Sequence, residues 1–168
     1  MTKYRTVLLL DDPPAEESLL RVHPVIDYGV FALCRKPCAG TNGCMNFGVR
    51  ETCPPKAPLF DKWCDLTAPV YVVINEFDLA AQAARMQVIH PKWTDKQCRC
   101  SRYWQKGARK VLQAKMDAAL TRLPGYAGTW CPEGNGVDVT ATLERSLGIK
   151  LWPVSNIVRQ VGLLGKLR

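Results

Sequence analysis

Pro69-Val70-Tyr71-Val72-Val73-Ile74-Asn75-Glu76-Phe77 is the stretch on which the fold class turns. Val70, Val72, Val73 and Ile74 are β-branched and Tyr71 is aromatic, so the run reads as a strand. Its apolar residues are continuous instead of alternating. That pattern implies burial on both faces, as in the middle of an α/β sheet. Leu79 to Ile89 follows at once, alanine-rich and helical, with Asp78 placed to cap it. On the other side, Pro58 to Leu66 reads as a short helix with Leu59, Trp63 and Leu66 along one side.

Further out the alternation continues. Thr6 to Leu10 reads as a strand, and Ala15 to Val22 as a short helix with Glu16 and Glu17 in its first turn. Tyr103 to Leu123 reads as the longest helix: Trp104, Ala108, Val111, Leu112, Met116, Ala119 and Leu123 recur at helical spacing, and Pro124-Gly125 ends it. Gly125 to Trp130 reads as a strand. Val139 to Leu147 reads as a helix capped by Asp138 and stopped by Gly148. Leu151 to Val154 and Ile157 to Leu164 supply a final strand or helix. The expected fold is a single α/β domain over residues 1–168, a mixed or parallel sheet flanked by helices, with a cysteine-rich metal-binding loop at 34–55.

That loop carries the chemistry. The chain reads Cys34-x3-Cys38-x5-Cys44-x8-Cys53, and Pro54-Pro55 follow the last thiol. Gly40, Gly43 and Gly48 lie between the cysteines, with Pro37, Asn42 and Asn46, which is loop composition suited to wrapping an ion. Met1 to Leu10 holds a short apolar run closed by Asp11-Asp12-Pro13-Pro14. This is neither a secretory leader nor a membrane span, so the expectation is a cytoplasmic protein with reduced thiols and no membrane partner. In that compartment clustered cysteines point to metal before disulfides. Zinc ribbons use paired Cys-x2-Cys hairpins, and none is present. The irregular spacing and the closing Cys-Pro favour an iron–sulfur cluster of the 4Fe-4S type, with zinc as the alternative.

Four cysteines lie outside the loop. Cys64, beside Trp63, reads as a core thiol. Cys98, Cys100 and Cys131 read as a candidate second metal group, with His90 as a further candidate ligand; Cys98 and Cys100 also fit a redox-active pair. Gly134-Asn135-Gly136 before a helix fits either an ordinary turn or an anion cradle, though it lacks the P-loop pattern.

Charge is concentrated. The chain carries a net +8, and residues 96–122 hold Lys96, Arg99, Arg102, Lys106, Arg109, Lys110, Lys115 and Arg122 against Asp117 alone. On a continuous basic helix over about 99–123, Arg99, Arg102, Lys106, Arg109 and Lys110 would share one face opposite the apolar positions. Such a stripe suits nucleic acid or an acidic partner protein, or a solvated surface. A cluster would instead call for a redox partner protein.

Two stretches together resemble a family of small, predicted metal-binding proteins. They are Cys44-Met45-Asn46-Phe47-Gly48-Val49-Arg50-Glu51-Thr52-Cys53-Pro54-Pro55-Lys56-Ala57-Pro58 and Pro132-Glu133-Gly134-Asn135-Gly136-Val137-Asp138-Val139-Thr140-Ala141-Thr142. The resemblance spans roughly two thirds of the chain. It implies metal binding at the Cys-Pro-Pro loop and implies no particular reaction. The family's later part usually carries several cysteines in Cys-x2-Cys spacing, where this chain has only Cys98, Cys100 and Cys131.

Overall fold

Residues 19–37, 42–154 and 156–168 are described by a computed structural model. The expected strand at Thr6 to Leu10, the first half of the expected helix at Ala15 to Val22, and Cys38 lie outside the described residues.

The Val70 stretch forms the long strand β3 (Val70–Asp78), after β1 (Leu20–Val22) and β2 (Val25–Ile26). The strands β4 (Tyr126–Thr129), β5 (Val137–Asp138) and β6 (Ile157–Lys166) follow later in the chain. The main sheet runs β1-β3-β6-β4, and β2 pairs with β5 in a separate ribbon. Every pairing is antiparallel. The expected parallel or mixed sheet is thus corrected. A continuous apolar run reports that both faces are covered, and it carries no information on the direction of the neighbours.

Both faces are indeed covered. Val70, Val72 and Ile74 face one core, with Phe60, Cys64, Val139, Leu143 and Leu163. Tyr71 and Val73 face the other, with Leu112, Met116, Ala119 and Leu164. Helices therefore lie on each side: α1 (Phe60–Trp63) and α5 (Val139–Leu147) on the first, and α4 (Gln105–Leu120) on the second. Asn75 is buried under α4, where its Nδ2 donates to the Ala108 carbonyl at 3.1 Å. Gly128 and Gly162 leave room on this face for Met116: a Cβ on either would run into its side chain.

Helix α2 (Leu79–Ile89) starts where expected, with Asp78 Oδ1 accepting from the Ala81 N–H at 2.8 Å. Asp138 caps α5 in the same way on Ala141, and Gly148 ends it at φ 67°. Of the expected C-terminal elements, Ile157–Lys166 is strand, whereas Leu151 to Val154 is neither helix nor strand.

Three local expectations change. Leu20–Val22 is strand, because its pairing with β3 outweighs a weak local preference for helix. Helix α1 ends at Trp63, and Cys64 instead bridges to Leu167. The basic helix is broken. A short α3 (Asp95–Cys98) starts at a Thr94/Gln97 capping box, a 3-10 turn covers Ser101–Tyr103, and only Gln105–Leu120 is continuous helix. Trp104 causes the break: its backbone leaves the helical region at φ −131°, and its indole stacks on Phe77 at 4.7 Å while Nε1 donates to the Arg99 carbonyl. No helix among the described residues is long and apolar enough to cross a membrane.

Candidate metal centre

Cys34 sits near the end of a 3-10 helix, Tyr28–Arg35. The chain returns at Cys44, whose N–H donates to the Cys34 carbonyl at 2.8 Å. Gly43 permits this approach: its φ is 123°, and a Cβ there would lie 2.8 Å from the same carbonyl oxygen. Successive turns carry the chain to Cys53, whose carbonyl accepts from both Lys56 and Ala57. The Gly48 N–H closes the loop on the Pro54 carbonyl at 2.8 Å.

Both ends of this loop are tied to one distant turn, Cys131 to Gly136. At the entry, the Asp27 N–H donates to the Gly136 carbonyl at 2.9 Å, and Gly136 packs so tightly on Tyr28 that a Cβ would lie 2.6 Å from its ring. At the exit, a Cβ on Gly134 would lie 2.9 Å from the Thr52 carbonyl oxygen and 3.2 Å from Cys131 Sγ. Asn135 is buried; its Nδ2 donates to the Pro58 carbonyl and its Oδ1 accepts from Thr129 Oγ1. Gly134-Asn135-Gly136 is thus a structural turn with its polar groups committed, as an ordinary-turn reading expects.

The thiols respond to one another. Burial pushes the Cys34 thiol above its usual range, and Cys44, Cys53 and Glu133 push it further. Cys131 is pushed up to about 11, first by burial, then by Glu133 and Cys53; the Gly134 N–H and Arg109 pull the other way. Burial also raises Glu133, against the pull of its own backbone N–H and Arg109. Cys34, Cys44, Cys53 and Cys131 therefore form one electrostatic neighbourhood. Without a cation, crowded anions favour the protonated thiol, and a bound cation inverts that preference.

The donor chemistry suits a thiophilic centre, since the side chains acting on Cys34 and Cys131 are the thiols of Cys44 and Cys53 with Glu133 and Arg109. Among the described residues, however, no three Cys, His, Asp or Glu side chains form a group able to hold a metal ion. Cys38, the fourth thiol of the loop, is outside that set.

The remaining candidates disperse. Cys98 is buried against Ala83, Met86 and Trp93, with its Sγ 3.4 Å from Gln87 Oε1. Cys100 is exposed, and His90 stacks on Trp93 at 3.9 Å. Cys131 stands with Cys53 instead of with Cys98 and Cys100. Cys64 is fully buried, as expected of a core thiol. Of the basic residues, Arg99 pairs with Asp95 at 2.9 Å and Arg102 lies in the 3-10 turn, so both leave the stripe. Lys106, Arg109 and Lys110 share the exposed face of α4.

Two clefts meet at Trp130 and Cys131. One, of about 210 Å³, reaches Thr52, Pro58 and Trp63; the other, of about 160 Å³, reaches Arg109, Glu133 and Gln160. Arg159 and Gln160 carried no signal in the sequence, because strand β6 holds no motif; Glu133 lies in the second stretch of the resemblance, which gave it no role of its own. Comparison with family models, curated proteins and solved structures finds no match to this chain.

Proposed function

We propose that this chain is a cysteine-ligated metalloprotein holding an iron–sulfur cluster, of the four-iron type, on Cys34, Cys38, Cys44 and Cys53. The cluster would serve electron transfer to a redox partner protein, or cluster-based redox or sulfur chemistry. One observation carries the reading: Cys34, Cys44 and Cys53 share an electrostatic neighbourhood on a loop anchored at both ends to the Cys131–Gly136 turn. The motif resemblance at Cys44–Pro58 supports metal binding at Cys44 and Cys53, without distinguishing a cluster from zinc. The absence of Cys-x2-Cys pairs favours a cluster over zinc. The loop's own residues would hold the thiolates in place, and their backbone N–H groups would tune the sulfurs.

Anaerobic purification followed by elemental analysis and visible spectroscopy tests this. We expect iron and sulfide with broad visible absorption, most of it lost in Cys34→Ser or Cys53→Ser and retained in Cys100→Ser. Stoichiometric zinc without iron would replace the cluster with a zinc-stabilised fold. Protein that takes up neither metal refutes both.

A further inference from the structure

Most of the excess charge lies in one segment. Residues 90–110 hold seven cations and one carboxylate, a net +6 within the chain's +8. That carboxylate, Asp95, is committed to Arg99 at 2.9 Å. Lys92, Lys96, Arg102, Lys106 and Lys110 are exposed, and none of them is in an ion pair among the described residues.

Three aromatic rings stand in the same segment. The turn between α2 and α3 stacks His90 on Trp93, with centroids 3.9 Å apart and planes within 12°. The Trp93 N–H donates to the His90 carbonyl at 3.0 Å, and Gln87 Nε2 donates to the Pro91 carbonyl at 2.9 Å, so the turn is fixed. The 3-10 turn Ser101–Tyr103 then brings Tyr103 against Trp93 at 5.0 Å. Trp93 also packs on Ala83, Met86 and Cys98, while Tyr103 is left 47% exposed. Each of these two rings has an unpaired cation as its chain neighbour: Lys92 precedes Trp93, and Arg102 precedes Tyr103. Adjacent Cα atoms are about 3.8 Å apart, so ring and charge are presented together. Lys106 and Lys110 follow one helical turn apart, about 6 Å along α4.

We propose that this face binds a single-stranded nucleic acid, with a base on Tyr103 and phosphates on Lys92, Arg102, Lys106 and Lys110. A row of cations alone fits any polyanion, and the rings are what select among them. Every base has a π-face that can stack on an exposed ring, and an acidic peptide has none to offer. In a duplex the bases are already stacked on one another, so a ring fixed on the protein meets only unstacked ones. This inference does not depend on the metal assignment.

Fluorescence anisotropy of a labelled oligo(dT) strand, titrated with the purified full chain, tests it. We expect a Kd of about 10 μM or tighter at ~50 mM salt. The phosphate contacts, at ~0.7 each, should give a slope of about −3 in log K against log salt. Tyr103→Leu should weaken binding about 5- to 150-fold, the loss of one stacked base, and Tyr103→Phe should retain it. Lys106→Gln combined with Lys110→Gln should roughly halve the slope. Arg145→Gln combined with Lys150→Gln removes the same charge in and after α5, on the other side of the sheet, and should leave the slope unchanged. Circular dichroism should be the same for all of them. Absence of binding at ~50 mM salt overturns the proposal, as does full-strength binding by Tyr103→Leu. Equal losses in the two charge pairs would reduce the effect to net charge and overturn it. Oligo-glutamate or duplex DNA binding as tightly as the strand would reassign the face to polyanions in general and also overturn it.

Discussion

Cys64 and Gly165 meet beneath α1, and their contact leaves no space. A Cβ on Gly165 would collide with Cys64 Sγ and would lie 3.2 Å from Phe60 Cζ. All these neighbours are core atoms, and overpacking of this kind costs about 1–3 kcal/mol. Gly165→Ala should therefore lower the free energy of unfolding by that amount, read as a lower urea midpoint at unchanged m-value. Adding Cys64→Ala should recover part of the loss in a double-mutant cycle, because the sulfur is the nearest obstacle. Strictly additive losses would show that the two sites are uncoupled. The burial of Cys64 was legible from its place beside Trp63. The role of Gly165 was not, because a glycine's sequence neighbours do not reveal what packs on its missing side chain.

The caps of α2 and α5 are the elements' own work. Asp78 and Asp138 each place a carboxylate on the N–H three residues ahead, and both were readable from local sequence. Asp138→Ala should cost about 1 kcal/mol by urea unfolding; a change below about 0.3 kcal/mol would show that the β5 pairing alone holds the start of α5. The break before α4 was not readable. Trp104 has the right spacing for a helical apolar face, yet its indole is held by Phe77 on β3 and by the Arg99 carbonyl. Long-range stacking outweighed local periodicity, and it dispersed the charges that a continuous helix would have aligned.

Taken as a whole, the molecule should weaken in alkali. Burial pushes the Cys64 thiol from 9.0 up to about 11. Between those values the unfolded chain releases its proton while the folded protein keeps it. The unfolded state then binds fewer protons, so stability is full below pH 9 and falls as pH rises toward 11. Urea midpoints measured across that window should decline, and Cys64→Ala should flatten part of the slope. Identical slopes in both proteins would show that Cys64 does not drive the effect.

By itself, the sequence determined the elements whose causes are local: the β-branched run of β3, the capped helices α2 and α5, the glycine stop at 148, and a cysteine loop of turn composition. Strand direction, the break at Trp104 and the partners of Cys131 were decided only in three dimensions. The order β1-β3-β6-β4 and its antiparallel direction depend on how the connections return the chain, which no single segment encodes. Cys131 lies 78 residues from Cys53 in the chain. It reaches the loop only because Gly134 and Gly136 lack side chains where the turn presses on Thr52 and Tyr28. Local propensities act over a few residues, whereas close packing is settled between segments that meet only after the chain has folded.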